Sequence, residues 1–170
     1  MPIPTIKRRW WHTLIQRGAA TSFGIWLLSK TLHRIDKPLL KLTGNRASFT
    51  SWLAGLPVIM LTTKGAKTGL LRQLPLVVLR DGENLILIAS FFGSHRHPAW
   101  YYNLKAHPQA QVSYSNHTGF YLARQAEGLE RQRYWEMAKE LYLGYSLYKR
   151  RASEREIPVI VLEPISTTLN

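Results

Sequence analysis

From Pro57 onward the apolar residues come in short runs, each closed by a turn signal, and this rhythm restricts the fold more than any other feature of the chain. Val58-Ile59-Met60-Leu61-Thr62-Thr63 is apolar and rich in β-branched residues, and it stops at Lys64-Gly65-Ala66-Lys67-Thr68-Gly69, a loop by its glycines. Residues 74–80 read as a second strand, and Asp81-Gly82 is a hairpin-type turn returning the chain into residues 84–90. A glycine-containing loop follows over 91–97. Pro98 then opens a short helix, 99–106, and residues 111–114 and 119–123 form another hairpin across Ser115-Asn116-His117-Thr118. Residues 128–143 have helical spacing, 145–151 continue it, and 158–162 close the sheet. About five or six strands joined mainly by hairpins predict an antiparallel sheet with inserted helices: an α+β fold with a mainly β core, rolled into a small barrel. No dinucleotide fingerprint is present.

The first part of the chain follows another pattern. Residues 1–50 carry nine Lys/Arg and one acid, Asp36, and Trp11, Leu14, Ile15, then Ile25, Trp26, Leu28, Leu32 and Ile35 recur at helical spacing. We expect two parts: a basic amphipathic helical arm over 1–50 and a β-barrel domain over 51–170. The arm either packs on the domain or lies on an anionic membrane surface, for which its Trp and Lys/Arg content is suited. No run is long and apolar enough to span a bilayer, and Arg17 interrupts the one stretch resembling a signal peptide. The expected location is the cytoplasm, with the arm as a peripheral hold on the inner face of the cell membrane. The formal charge of +13 over 170 residues would draw phosphorylated ligands, nucleic acid or lipid head groups. The absence of cysteine excludes disulfides, thiolate metal sites and thiol catalysis.

Chemistry narrows the choice. The stretch 64–72 holds Lys64, Lys67 and Arg72, the Thr68 hydroxyl and two glycines, with no acid. Glycines let backbone N–H groups approach an anion, and the cations add charge-assisted hydrogen bonds, so the loop suits phosphate. Taken alone such a segment is more commonly a solvated basic hairpin, and it is not a nucleotide-triphosphate loop, whose leading glycine is missing. His95-Arg96-His97 makes a poor metal site, because no carboxylate occurs between Glu83 and Glu127 and Arg96 would repel a cation; no metal is expected. The same gap argues against a hydrolytic triad at Ser90 or His97. Asp81 is expected to serve the turn. Tyr142, Tyr145 and Tyr148, spaced by three, are expected on one face of a helix, either as core or as a hydrogen-bonding wall for a flat ligand.

The succession of 58–69, Arg72, Pro75, Ala89-Ser90, 97–108, Tyr142, Tyr145, Tyr148 and 157–164 resembles the deazaflavin-dependent nitroreductases and F420H2-dependent quinone reductases. The resemblance implies a split β-barrel of the flavin-reductase type, reduced coenzyme F420 as hydride donor, and a quinone, nitroaromatic or activated alkene as acceptor. By similarity Lys67, Thr68 and Arg72, with Lys64 nearby, would hold the cofactor's phosphate and acidic tail. Pro75 and Ala89-Ser90 would flank its ring, with Asn103 on the same side. Ser90, Trp100, Tyr142, Tyr145 and Tyr148 would line the substrate side, Ser90 or a tyrosine giving the proton. Barrels of this kind also form homodimers. Phe91-Phe92-Gly93 departs from the family pattern by its bulk. The competing expectations are an FMN-dependent reductase on the same barrel and a non-enzymatic binder of nucleic acid or anionic lipid; the three cations of the loop favour the acidic tail of F420 over FMN.

Overall fold

A computed structural model describes residues 56–114 and 117–165. The expected arm and the tip of the 114–117 turn therefore lie outside the described residues. Seven strands make one sheet: β1 (Val58–Lys64), β2 (Leu71–Val77), β3 (Leu79–Asp81), β4 (Asn84–Ile88), β5 (Gln109–Tyr114), β6 (His117–Gln125) and β7 (Val159–Pro164). Three α-helices accompany them: α1 (Ala99–Ala106), α2 (Gly128–Leu141) and α3 (Gly144–Ala152). The strand order is β2-β1-β5-β6-β7-β4-β3, and every pairing is antiparallel, as the hairpin signals predict.

The order contains the barrel. β2 and β3 lie at opposite ends of the list, yet only Val78 separates Val77 from Leu79 in the chain. Consecutive Cα atoms are about 3.8 Å apart, so the two edges must come side by side, and the sheet must roll on itself. Val78 marks the seam, its N–H donating to the Pro57 carbonyl at 3.0 Å. This corrects the expectation of one strand over 74–80: Leu71–Val77 pairs with β1, and only Leu79–Asp81 forms the hairpin with β4. The apolar run is continuous across Val78, so sequence pattern alone cannot reveal the change of partner. The count of strands rises to seven for the same reason.

Alternation then sorts the side chains into two cores. Ile59 and Leu61 of β1, Leu85 and Leu87 of β4, Val112 of β5, Tyr121 of β6 and Leu162 of β7 point inward, joined by Trp100 and Leu104 of α1. The opposite parity, Ile86, Ile88, Val159 and Val161, faces outward beneath α2 and α3, where Tyr134, Trp135, Ala138, Tyr145 and Tyr148 cover it. Burying each such side chain contributes about 1.5–3 kcal/mol. Asp81 does more than serve a turn. At the end of β3 it pairs with Arg133 and accepts the Tyr134 hydroxyl at 2.9 Å, fastening α2 to the sheet.

Candidate active site

The β1–β2 connection is a tight cationic loop. Gly65 N–H donates to the Leu70 carbonyl and Gly69 N–H to the Gly65 carbonyl, both at 2.8 Å. Gly69 has a φ of 66°, a left-handed conformation that glycine adopts without a Cβ clash. Lys64, Lys67, Thr68 and Arg72 are exposed, and among the described residues none of the three cations forms an ion pair. Their charge therefore remains available to an anion. Arg72 sits in β2 opposite Thr63, so it flanks the loop from a strand and not from within the turn.

Asn103 fixes this loop from α1. Its Oδ1 accepts the Ala66 N–H at 3.0 Å and its Nδ2 donates to Thr63 Oγ1 at 3.0 Å, so one buried amide ties the loop to β1. The residue expected beside the cofactor ring thus has both ends of its amide engaged with protein. Trp100, on the same helix, is only 5 % exposed and packs in the barrel interior with Leu104 and Tyr121, away from the tyrosine cluster expected to share the substrate side. Pro75 lies on the edge strand β2 opposite Met60, where a missing N–H disturbs the ladder least.

The segment after β4 is strained and clamped. Ala89 and Ser90 are buried, and Phe91, Phe92 and Gly93 follow with φ of 45°, 56° and 77°. A bulky residue in the left-handed region costs on the order of 1–3 kcal/mol. Gly93 has a second constraint: a Cβ there would meet Arg151 Cβ at 2.7 Å and the Tyr148 carbonyl oxygen at 2.8 Å. Arg155, from the connection between α3 and β7, holds the segment with its whole guanidinium. It donates to the carbonyls of Ser90 (2.9 Å), Ser94 (2.9 Å) and Ala89 (3.4 Å) and to His97 Nδ1 (2.8 Å). Bonds from a charged donor contribute about 1.5–3 kcal/mol each, the same scale as the strain they hold. Because arginine can only donate, His97 Nδ1 must be unprotonated. Burial lowers the His97 pKa, and the positive charges of Arg155 and Lys105 lower it further. Arg155 went unnoticed in the sequence, where it stands between Glu154 and Glu156 and looks like part of a solvated stretch of mixed charge.

The tyrosines meet, although not on one helix. Tyr142 is the extended residue that ends α2, and Tyr145 and Tyr148 belong to α3, so the expected single helical face is broken at Tyr142. Their rings nevertheless cluster, with centroids 5.5 to 6.1 Å apart, and the Tyr142 and Tyr148 hydroxyls are 3.2 Å apart. The break is made possible by Gly144, where a Cβ would lie 2.2 Å from Tyr142 Cε1. Burial drives the pKa of all three phenols upward, so they stay neutral hydrogen-bond donors. Phe92 sets its ring against Tyr148, edge on, at 6.0 Å, which joins the cluster to the Ser90 segment.

α1 connects the halves of the site. His97, in Arg155's grip, enters the helix and Asn103 leaves it toward the cationic loop, so the 89–97 segment and the 65–70 loop are held through one eight-residue helix.

Comparisons with known proteins bear on the fold and the family. An F420H(2)-dependent quinone reductase of Mycobacterium tuberculosis is 36 % identical over 109 residues, which are 62 % of this chain and 72 % of that protein. Among solved structures, an F420-H2 dependent reductase (FDR-A) superposes with a TM-score of 0.58 at 36 % identity, covering 63 % of this chain and 94 % of its own. Another, described as a domain-swapped dimer, gives a TM-score of 0.59 at 31 % identity over 84 % of this chain and all of its own. The split β-barrel is thus shared with oxidoreductases dependent on reduced F420. Since the family model described as F420H(2)-dependent quinone reductase matches residues 34–164, the chain belongs to that family.

Proposed function

We propose that this protein binds reduced F420 at the β1–β2 loop and passes its hydride to a quinone lying between the 89–97 segment and the tyrosine cluster. The observation that carries the reading is the loop itself: Lys64, Lys67 and Arg72 exposed and without acidic partners among the described residues, around a backbone held in shape by Asn103. Such a donor set fits a phosphate with an acidic tail. FMN, with one phosphate and no acidic tail, would leave part of this charge unused.

When bound, the deazaflavin supplies a two-electron hydride, which with one proton reduces a quinone to the quinol. The chain's own residues bind and orient. Lys67, Thr68 and Arg72 hold the anionic end, with Lys64 beside them, and Asn103, bonded to Ala66 and Thr63, holds the loop's shape as a positioning residue. Pro75, Ala89 and Ser90 border the ring. Tyr142 and Tyr148, neutral and hydroxyl to hydroxyl, present a donor to a carbonyl oxygen, with Ser90 as the other proton source. Tyr145 backs this pair, and Trp100 supports α1 from the barrel interior in place of touching substrate. Nitroaromatics and activated alkenes are also electron-poor and flat, and are secondary acceptors in this reading. Titration with oxidised F420 and, separately, FMN tests it. Saturable one-to-one binding of F420 with little affinity for FMN is expected; preference for FMN would replace the cofactor assignment, and binding of neither would remove it.

A further inference from the structure

Arg155 is absent from every expectation above, yet no other side chain in the described residues makes as many hydrogen bonds to the Ala89–Ser94 backbone and His97. Its acceptors are all neutral, and its neighbour in sequence, Glu156, is paired with Arg131 instead. The strain in the backbone converges on it. The only non-glycine residues with positive φ among the described residues are Phe91, Phe92 and Ser153. The first two lie in the segment Arg155 holds, and Ser153 lies in the turn that aims it, where Arg155 N–H closes back on the Ala152 carbonyl at 3.0 Å. Strained backbone persists only where surrounding contacts over-determine it, and the guanidinium provides those contacts.

Resting on the function proposed above, we infer that Arg155 is a positioning residue: by bridging the carbonyls of Ala89, Ser90 and Ser94 to neutral His97, it locks Ser90 in place beside the reacting ring, and protonation of His97 opens that lock. The groups facing His97 are Arg155 from the α3–β7 connection and Tyr101, Tyr102 and Lys105 from α1, with His95 and Arg96 on its own segment. None is acidic. A proton on Nδ1 would therefore face Arg155 donor to donor, with no carboxylate among these neighbours to balance it.

Two measurements on the full chain separate this inference from the function on which it rests. The first needs no cofactor: amide hydrogen exchange of residues 89–97, corrected for intrinsic rates, in wild type, Arg155→Gln, Arg155→Lys and His97→Gln. We expect at least tenfold faster exchange of the Gly93 and Ser94 amides in Arg155→Gln, with β1, β5 and β6 unchanged, and partial recovery in Arg155→Lys, whose single nitrogen cannot span four acceptors. In wild type the segment should loosen as pH falls through the ordinary histidine range, and His97→Gln, whose amide oxygen accepts at any pH, should abolish that dependence. The second measures F420H2 oxidation: Arg155→Gln should lose about tenfold to a hundredfold in kcat, the scale of a small misplacement at a reacting centre, with F420 affinity within threefold of wild type. An unchanged 89–97 segment, uniformly faster exchange throughout the barrel in both arginine variants, or full recovery by lysine would each overturn the inference. Because the exchange experiment involves no substrate, it stands even if quinone reduction itself is not observed.

Discussion

Asn103 Oδ1 accepts the backbone N–H of Ala66 at 3.0 Å across 37 residues of chain, while the other end of the same amide reaches Thr63. One buried side chain on α1 thereby sets the shape of a loop whose cations lie in the solvent. Shape and charge of the candidate cofactor site are supplied by different residues, and they can be separated by mutation.

Asn103→Ala removes the shape and keeps the charge. A buried N–H or hydroxyl left without its partner costs about 1–3 kcal/mol, so stability should fall by that amount in urea denaturation. F420 should bind at least tenfold more weakly although Lys64, Lys67 and Arg72 are all present. Unchanged affinity would show that the loop needs no support from α1.

Lys67→Ala and Arg72→Ala remove charge and keep the shape. Both side chains are exposed and form no ion pair among the described residues, so stability should change by no more than about 0.5 kcal/mol. Loss of one charge-assisted bond to phosphate, about 1.5–3 kcal/mol, should weaken F420 binding by roughly 10- to 100-fold. The salt dependence of the dissociation constant should become shallower in each variant, as measured by titration at several ionic strengths.

Gly144→Ala tests the tyrosine cluster. The added methyl would lie 2.2 Å from the Tyr142 ring, so the ring must leave its place beside Tyr148. Overpacking of this kind costs about 1–3 kcal/mol and should lower Tm by several degrees. Tyr142→Phe and Tyr148→Phe keep the packing, and their effect on turnover should exceed their effect on Tm.

The pH dependence of stability has a definite sign. The folded state lowers the His97 pKa below its ordinary 6.5, so the unfolded chain takes up the proton first. The histidine's contribution is complete above about pH 6.5 and is lost as pH falls from there through the depressed folded value. Urea denaturation between neutral and mildly acidic pH should show a decline that His97→Gln reduces. A decline of equal slope in the variant would assign the effect to other groups.

Much of the fold and site is legible in the sequence because the signals are local. The short apolar runs mark β1 and β4, Asp81-Gly82 marks the β3–β4 turn, and the glycines around Lys67 mark the cationic loop. What escapes the sequence depends on distant partners. The passage from one sheet edge to the other at Val78 occurs inside an unbroken apolar run, and the break at Tyr142 depends on a ring folding over Gly144. Arg155 meets Ser90 across 65 residues, and nothing in the stretch Glu154-Arg155-Glu156 tells that its arginine turns inward. Resemblance alone puts Asn103 on the side of the cofactor ring, whereas its bonds to Ala66 and Thr63 could be found only in three dimensions.

The central claim is that hydride passes from reduced F420 to a quinone on this barrel. Its most direct test is an anaerobic single-turnover experiment with stoichiometric protein and F420H2, a menaquinone-like quinone, and simultaneous detection of F420 oxidation and quinol. The account predicts one quinol for each F420 oxidised, with the rate strongly reduced in Lys67→Ala at subsaturating cofactor. F420H2 that binds and remains reduced in the presence of quinone would contradict it.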